Sequence, residues 1–188
     1  MVSSICGFRV RALLAGILCG LAAAVSVRAQ SGAKEYQVKA VYLYNFAEFV
    51  EWPPTAFSGQ NAPLIIGVLG DDPFGSVLDE TVHGEQANGR DLVVRRYRVV
   101  DEIAACHILF VSRSETDRLA PILRALRGRS ILTISDAADF ARRGGMVRFV
   151  TENHRIRLRV NLDAVKAANL TISSKLLRTV ELVNGSDQ

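Results

Sequence analysis

The chain has 188 residues, and its 23 basic and 19 acidic side chains give a formal net charge of +4. Arg9, Arg11 and Arg28 precede residue 30 and no acid does, so the remainder carries 20 basic against 19 acidic side chains. This near-neutral remainder lacks the concentrated positive charge that nucleic-acid binding needs. Its 159 residues suffice for one core, and we expect a single domain over 30–188.

The first 29 residues predict a secretory signal peptide. Arg9 and Arg11 lie ahead of an apolar stretch over 12–25, and Val27-Arg28-Ala29 suits cleavage after Ala29. The apolar stretch is too short to span a bilayer, with an uncleaved anchor as the alternative. We therefore expect an exported protein.

Cysteine usage limits redox chemistry. Cys6 and Cys19 leave with the signal, so the exported domain keeps only Cys106 and forms no internal disulfide. Cys106 precedes the apolar run 108–111, which favours a small buried residue over a thiol that senses oxidants or pairs with a second chain.

The run KAVYLYNFAEFVEWP over 39–53 holds five of the thirteen aromatic residues. Helical spacing gives two adjacent apolar stripes, one of Val38, Val41, Tyr42, Asn45 and Phe49 and the other of Leu43, Phe46 and Val50. Together they predict a mostly buried helix that ends at Trp52-Pro53-Pro54. Its polar groups leave room for a ligand or a partner protein.

Alternating strands and helices follow. The apolar run 64–69 predicts a buried strand, and Asp72 before Pro73 predicts the start of a helix that continues toward Val82. Asn88-Gly89 marks a turn. The segments 92–100, 108–111 and 131–134 predict further strands, with a helix over 115–126 capped by Ser114 and a brief helical piece after Asp136.

The C-terminal part predicts an antiparallel hairpin, with strands over 146–150 and 155–162 around a turn at 152–154. A final helix is expected over 173–183. The fold class predicted is α/β, with three layers: a mostly parallel sheet, helices on both faces and this hairpin at the sheet edge.

Motifs for catalysis are missing from the sequence. The glycine loop over 70–75 lacks a phosphate-binding fingerprint, His83, His107 and His154 share no metal-ligand spacing, and no serine lies in a nucleophile turn. We predict no catalytic residue, metal or cofactor. A hydrolase would need a serine, a histidine and an acid to converge in the fold.

Arg155, Arg157 and Arg159 alternate along the second hairpin strand and share one face. Three like charges on one face need solvent or an anionic partner. The row is explained either as protection of an edge strand against aggregation or as recognition of an acidic partner or ligand.

Six segments in this order and spacing resemble the YfiR family, and they cover essentially the whole exported domain. They are KAVYLYNFAEFVEWP at 39–53, LIIGVLGDDPFG at 64–75, NGRDLVVRR at 88–96, CHILFVSRSE at 106–115, ILTISDAADFARRGGMVRFV at 131–150 and RLRVNLDAVKAANLTISSKLLR at 157–178. None is a catalytic motif. This chain departs from the family in one respect: family members can contain disulfides, whereas the exported domain keeps a single cysteine. Redox control by an internal disulfide therefore does not transfer to it.

The resemblance implies a periplasmic, non-enzymatic regulator of Gram-negative bacteria. It would restrain a membrane-bound diguanylate cyclase by binding its periplasmic sensor region, and an outer-membrane lipoprotein would relieve the block. Cyclic-di-GMP level and biofilm formation would be the readouts. The receptor's identity and homodimerisation stay open.

Two sets of site residues follow. We predict partner contacts on the C-terminal hairpin and the segment after it, at Met146, Phe149, Arg157, Arg159 and Leu170. The alternative function is a periplasmic small-molecule sensor, whose pocket would be lined by Tyr44, Asn45, Trp52, Asp71 and Phe74. A deep pocket at these aromatics would favour the sensor, and an exposed apolar patch around Phe149 would favour the protein partner.

Overall fold

The structure, a computed structural model, describes residues 32–153 and 155–184. The chain divides into two units, Met1–Tyr36 and Gln37–Gln188, and the described part of the first unit, 32–36, is helical. The predicted signal peptide and its cleavage after Ala29 lie outside the described residues, as does His154. None of the helices described is long and apolar enough to cross a membrane.

Helices and strands alternate through the larger unit. The helices are α1 (37–49), α2 (Ser76–Val82), α3 (Leu119–Ala125), α4 (Leu162–Ala167) and α5 (Ser174–Leu177). The strands are β1 (Val50–Glu51), β2 (Leu64–Leu69), β3 (Gln86–Ala87), β4 (Arg90–Tyr97), β5 (Ile108–Val111), β6 (Leu132–Ser135), β7 (Val147–Glu152), β8 (Arg155–Val160), β9 (Thr171–Ile172) and β10 (Glu181–Leu182). Short 3-10 helices lie at Pro54–Ala56, Val100–Glu102 and Arg113–Arg118.

Eight of the strands in the described residues form one mixed, mostly parallel sheet in the order β10-β8-β7-β6-β5-β2-β4-β3. Strands β4, β2, β5, β6 and β7 are parallel, and β8 runs antiparallel to β7. The predicted α/β class and antiparallel pair are confirmed. The hairpin is not at the sheet edge, however, because β10 pairs parallel with β8 on its outer side. β1 and β9 form a separate antiparallel pair.

Both faces of the central sheet are covered, since β2, β5 and β6 are buried along their whole length. Leu109 and Val111 belong to a cluster with Leu119 and Ile122 of α3. Phe110, on the opposite face, contacts Phe74 and Phe149, and Phe149 also contacts Phe46 of α1. We call this opposite side the aromatic face.

The first helix ends earlier than predicted. It stops at residue 49, because Val50 and Glu51 take extended conformation and pair with Ile172 and Thr171. The backbone amide of Ser173 also donates to the carbonyl of Phe49 at 2.8 Å. A long-range strand pairing therefore overrides the helical pattern of the sequence.

The second helix begins later than predicted, at Ser76. Asp72 is not its N-cap, because its carboxylate accepts from the amide of Phe74 at 2.8 Å and from Nε of Arg96 at 2.7 Å. Those bonds build a turn ahead of the helix. Similarly, Ser112 rather than Ser114 caps the 3-10 helix that precedes α3.

The C-terminal segment differs most from the prediction. β8 ends at Val160, and Asn161 turns inward to cap α4 by accepting from the amide of Ala164 at 3.1 Å. The long helix expected over 173–183 is one turn, α5, capped by Ser173 and followed by β10. The brief helical piece after Asp136 is a series of turns.

Candidate interaction surface

One apolar stripe of α1 faces outward. Val38 is 47% exposed and Val41 is 49% exposed, while Tyr42, Asn45 and Phe49 are half-buried. We call these five residues the valine stripe. The second predicted stripe is buried, as expected for a core helix. The helix thus presents apolar surface that the described residues of the larger unit leave exposed, and such surface marks contact sites when it is contiguous.

The predicted apolar partner contacts are not at the surface. Met146 is 8% exposed, Phe149 is 1% exposed and Leu170 is 3% exposed. Phe149 lies beneath α1, where its ring centre is 5.8 Å from that of Tyr42. The described surface therefore has no exposed apolar patch around Phe149. Direct partner contacts by Met146, Phe149 and Leu170 stay a prediction, which the burial of these side chains does not favour.

The predicted arginines do reach the surface. Arg157 is exposed and Arg159 is half-buried, on the outer face of the β7–β8 pair. Glu152 lies 3.2 Å from Arg159 and 3.7 Å from Arg157, and Glu181 of β10 lies 3.0 Å from Arg159. Two glutamates thus offset part of the arginine row. Exposed ion pairs of this kind contribute little to stability, which leaves both explanations of the row open.

The five residues of the predicted ligand pocket do not converge. Trp52 donates from Nε1 to the carbonyl of His107 at 3.2 Å, at the amino end of β5. Asp71 and Phe74 follow the carboxyl end of β2, which is parallel to β5. A six-residue strand spans roughly 20 Å, so these groups lie at opposite ends of the sheet.

Tyr44 and Asn45 are half-buried on α1, and the Tyr44 hydroxyl lies 3.3 Å from the Glu85 carboxylate. Phe74 is 4% exposed and packs edge-on against Phe110, so it serves the core. Parallel strands separate the two halves of the predicted pocket, so a ligand pocket of these five residues stays a prediction that their positions do not favour.

A larger cavity, of about 910 Å³, opens instead near the amino ends of the strands. Its lining includes Phe57, Arg95, Cys106, His107 and Arg129. The Phe57 ring stacks on the His107 imidazole with centres 4.3 Å apart, and the Arg90 guanidinium covers the other side of Phe57 at 3.7 Å. None of the five predicted pocket residues lines this cavity.

His107 is held as a neutral imidazole. Its Nδ1 accepts from the amide of Ile65 at 3.0 Å, and its Nε2 lies 3.2 Å from the carbonyl of Ala56. Burial lowers its pKa to about 4, and the charge of Arg90 acts in the same direction, whereas the Ala56 carbonyl opposes them. With both ring nitrogens engaged by backbone, His107 is placed to join β2 and β5 rather than to transfer protons.

Cys106 is a buried residue, as the sequence predicted. Its thiol donates to the carbonyl of Ile108 at 3.1 Å, and burial raises its pKa to about 12. A thiol with so high a pKa is a poor nucleophile at neutral pH. The packing of Cys106 against Gly67 of β2, where an added Cβ would lie 2.8 Å from Sγ, indicates a structural role.

A buried ion pair that sequence reasoning missed lies at the carboxyl end of β6. Lys39 of α1 is fully buried, and its Nζ lies 2.5 Å from Oδ2 of Asp136. The exposed Arg113 reaches the other carboxylate oxygen at 3.1 Å. The signal available in the sequence was a lysine inside an apolar helical run and an aspartate directly after a buried strand. The pair joins α1 to the carboxyl end of β6.

A family model described as YfiR/HmsC-like matches residues 36–181. A search of curated proteins finds none that matches the chain. The family match extends from the start of the larger unit to β10, so it includes the valine stripe, the sheet and the arginine row.

Proposed function

Because the chain belongs to the YfiR/HmsC-like family, we propose that it is a periplasmic regulator that binds the periplasmic region of an inner-membrane signalling protein. The receptor proposed is a diguanylate cyclase, held in its inactive state so that cyclic-di-GMP output falls. An outer-membrane lipoprotein that competes for the regulator would relieve the block. The family match is the observation that carries this proposal, since the family is generally regulatory and non-catalytic.

Regulation by binding needs no chemistry from this chain. The regulator must bind the inactive receptor better than the active one, by roughly 3–5 kcal/mol if the receptor is to be mostly off. Surface complementarity supplies such a difference when a few apolar side chains become fully desolvated at the centre of an interface.

The valine stripe supports the proposal as the contact surface. Val38 and Val41 lie about one helical turn apart on α1. The opposite side of this helix is buried in the core, so the valine stripe has a fixed position in the unbound protein. Preorganised apolar surface loses little conformational entropy on binding. The arginine row on the outer face of β8 would then act at the rim or recognise a separate acidic partner.

The test is a pull-down from membranes that compares the natural chain with a variant carrying two negative charges in the valine stripe. The double variant V38E/V41E places glutamate, a better helix former than valine, at two exposed positions and should leave the free energy of unfolding within about 0.5 kcal/mol of the natural chain. In a desolvated interface two carboxylates should weaken receptor binding by at least about 100-fold. Cells that carry it should show raised cyclic-di-GMP, as we expect of a deletion strain.

Val99 provides a matched control, because it is a valine of similar exposure, 43%, in the loop after β4. V99E should bind and repress like the natural chain. If the natural chain recovers no inner-membrane signalling protein and its deletion leaves cyclic-di-GMP unchanged, the regulatory proposal is wrong. If the natural chain binds but V38E/V41E binds equally well, the proposal fails only in its choice of surface.

Small-molecule sensing is the second candidate, and the cavity beside His107 is the observation that favours it. Its volume, about 910 Å³, lies within the range of ligand pockets, and it combines an aromatic ring with the guanidinium groups of Arg95 and Arg129. Trp52 is the only tryptophan of the chain and bonds to the backbone of His107. A ligand that enters the cavity should therefore change the intrinsic fluorescence, and A105F, which fills part of the cavity without adding a tryptophan, should abolish the binding that this change reports.

A further inference from the structure

A second concave surface lies between α3 and α4. It is a groove of about 280 Å³ on the face of the sheet that carries α3. Its lining includes Thr133 of β6 and Met146, both buried, so they form its floor. Ala120 lies on the α3 side, and Ala164 and Ala167 lie on the α4 side. These small side chains leave space that larger ones would have filled.

The charges around the groove are all of one sign. Arg124, Arg127 and Arg143 line it, and among the described lining residues there is no acid. All three arginines are exposed, and within the described part of the chain none of them forms an ion pair with a carboxylate. A guanidinium nitrogen of Arg143 donates to the backbone carbonyl of Thr116 at 3.3 Å, which restricts the position of this side chain. Arginine stays protonated at any physiological pH, so the groove is permanently cationic.

The body of the groove is apolar. Leu126 and Met146 are buried beneath it, and Leu123 is half-buried at its side. A ligand that suits both parts has an aliphatic chain and an anionic head. Guanidinium groups favour carboxylate, because planar N–H donors match its two oxygens.

The volume limits the length of the chain. A molecule of water occupies about 30 Å³ in the liquid, so about 280 Å³ accommodates roughly nine or ten atoms of similar size. We propose that this groove is a binding site for a small aliphatic carboxylate of about that size, with its head at Arg124 and Arg127 and its chain over Leu123 and Met146. This site is separate from the valine stripe, and the inference does not rest on the regulatory function.

The test uses octanoate as the probe and the full purified chain. In a titration followed by backbone NMR, octanoate should saturate shifts at Gly128, Gly144 and Ala164 around the groove, without changing Trp52 fluorescence. Acetate, which has the charge without the chain, and 1-octanol, which has the chain without the charge, should each bind at least about tenfold more weakly.

Variants separate the groove from the cavity beside His107. R124Q/R127Q should weaken octanoate binding by about tenfold or more, and A164L should weaken it comparably by filling the groove without changing charge. R95Q is the matched control, because Arg95 is an exposed arginine that lines the other cavity. Equal affinity for acetate, loss of binding with R95Q instead, or no saturation by about 10 mM octanoate would each overturn the proposal.

Discussion

Protonation of His107 should destabilise the fold, and the size of the effect follows from its environment. Its pKa falls from 6.5 to about 4 on folding because the ring is buried. Between those two values the unfolded chain binds more protons at this side chain than the folded chain does. The contribution of neutral His107 to the free energy of unfolding is therefore fully present well above pH 6.5 and is lost as the pH falls toward 4.

The magnitude at pH 5 is about 2 kcal/mol. At that pH nearly all unfolded chains carry a proton on His107, whereas roughly a tenth of folded chains do, and each pKa unit corresponds to 1.36 kcal/mol. Below pH 4 the loss would approach about 3 kcal/mol. For a domain whose total stability is of the order of 5–15 kcal/mol, this is a large fraction.

The assay is urea denaturation of the natural chain and H107Q at pH 7.5 and pH 5. H107Q should be less stable at pH 7.5 by about 1–3 kcal/mol, since a flexible carboxamide replaces a ring that stacks on Phe57 and that the Ile65 amide and the Ala56 carbonyl hold in place. Acid should then cost it about 2 kcal/mol less than it costs the natural chain. H83Q removes an exposed imidazole and serves as the control. Parallel losses in the natural chain and H107Q would refute the reasoning.

Two further predictions concern buried polar groups. K39M should lower the free energy of unfolding by about 3 kcal/mol or more, because it removes the buried cation that lies beside the buried carboxylate of Asp136. Adding D136N should recover part of that loss in the same denaturation assay. Burial raises the pKa of the Cys106 thiol to about 12, so at pH 7.5 it should have about a thousandfold less thiolate than a free cysteine. Maleimide labelling of Cys106 should therefore be slow in buffer and fast in urea. Fast labelling of the folded chain would contradict the burial of this thiol.

The sequence predicted those elements whose signal is local. The strands over 64–69 and 108–111 have the predicted bounds, because an unbroken apolar β-branched run is buried on both faces. The turn at Asn88-Gly89 is also confirmed, since both residues take positive φ values, 51° and 74°, that asparagine and glycine tolerate well.

Elements that depend on distant partners could not be predicted in this way. Val50 and Glu51 continue a helical pattern, yet they pair with residues more than a hundred positions later. Asn161 follows the strict alternation of β8, but its side chain caps α4 and donates to the carbonyl of Ala141. In both cases a tertiary hydrogen bond outweighs the local preference.

The candidate site was harder to predict than the fold, because apolar patterning does not distinguish a core face from an interface. Both stripes of α1 have the spacing of buried residues, and only the packed structure shows that Val38 and Val41 stay exposed. The predicted pocket has a related difficulty. It joined the loop after β2 to the end of α1 without knowing the strand direction, which places Asp71 and Trp52 at opposite ends of the sheet.

Phe149 packs beneath α1, so it can affect how tightly α1 binds a partner without contacting that partner itself. Phe149 packs beneath Tyr42 and Phe46, and Lys39 and the carbonyl of Ala47 hold the same helix through Asp136 and Asn88. If the valine stripe binds the receptor, its position depends on this support. A milder core substitution such as F149L, which keeps most of the apolar volume, should then weaken binding more than its loss of stability explains, whereas an equally destabilising change in the α3 cluster should not.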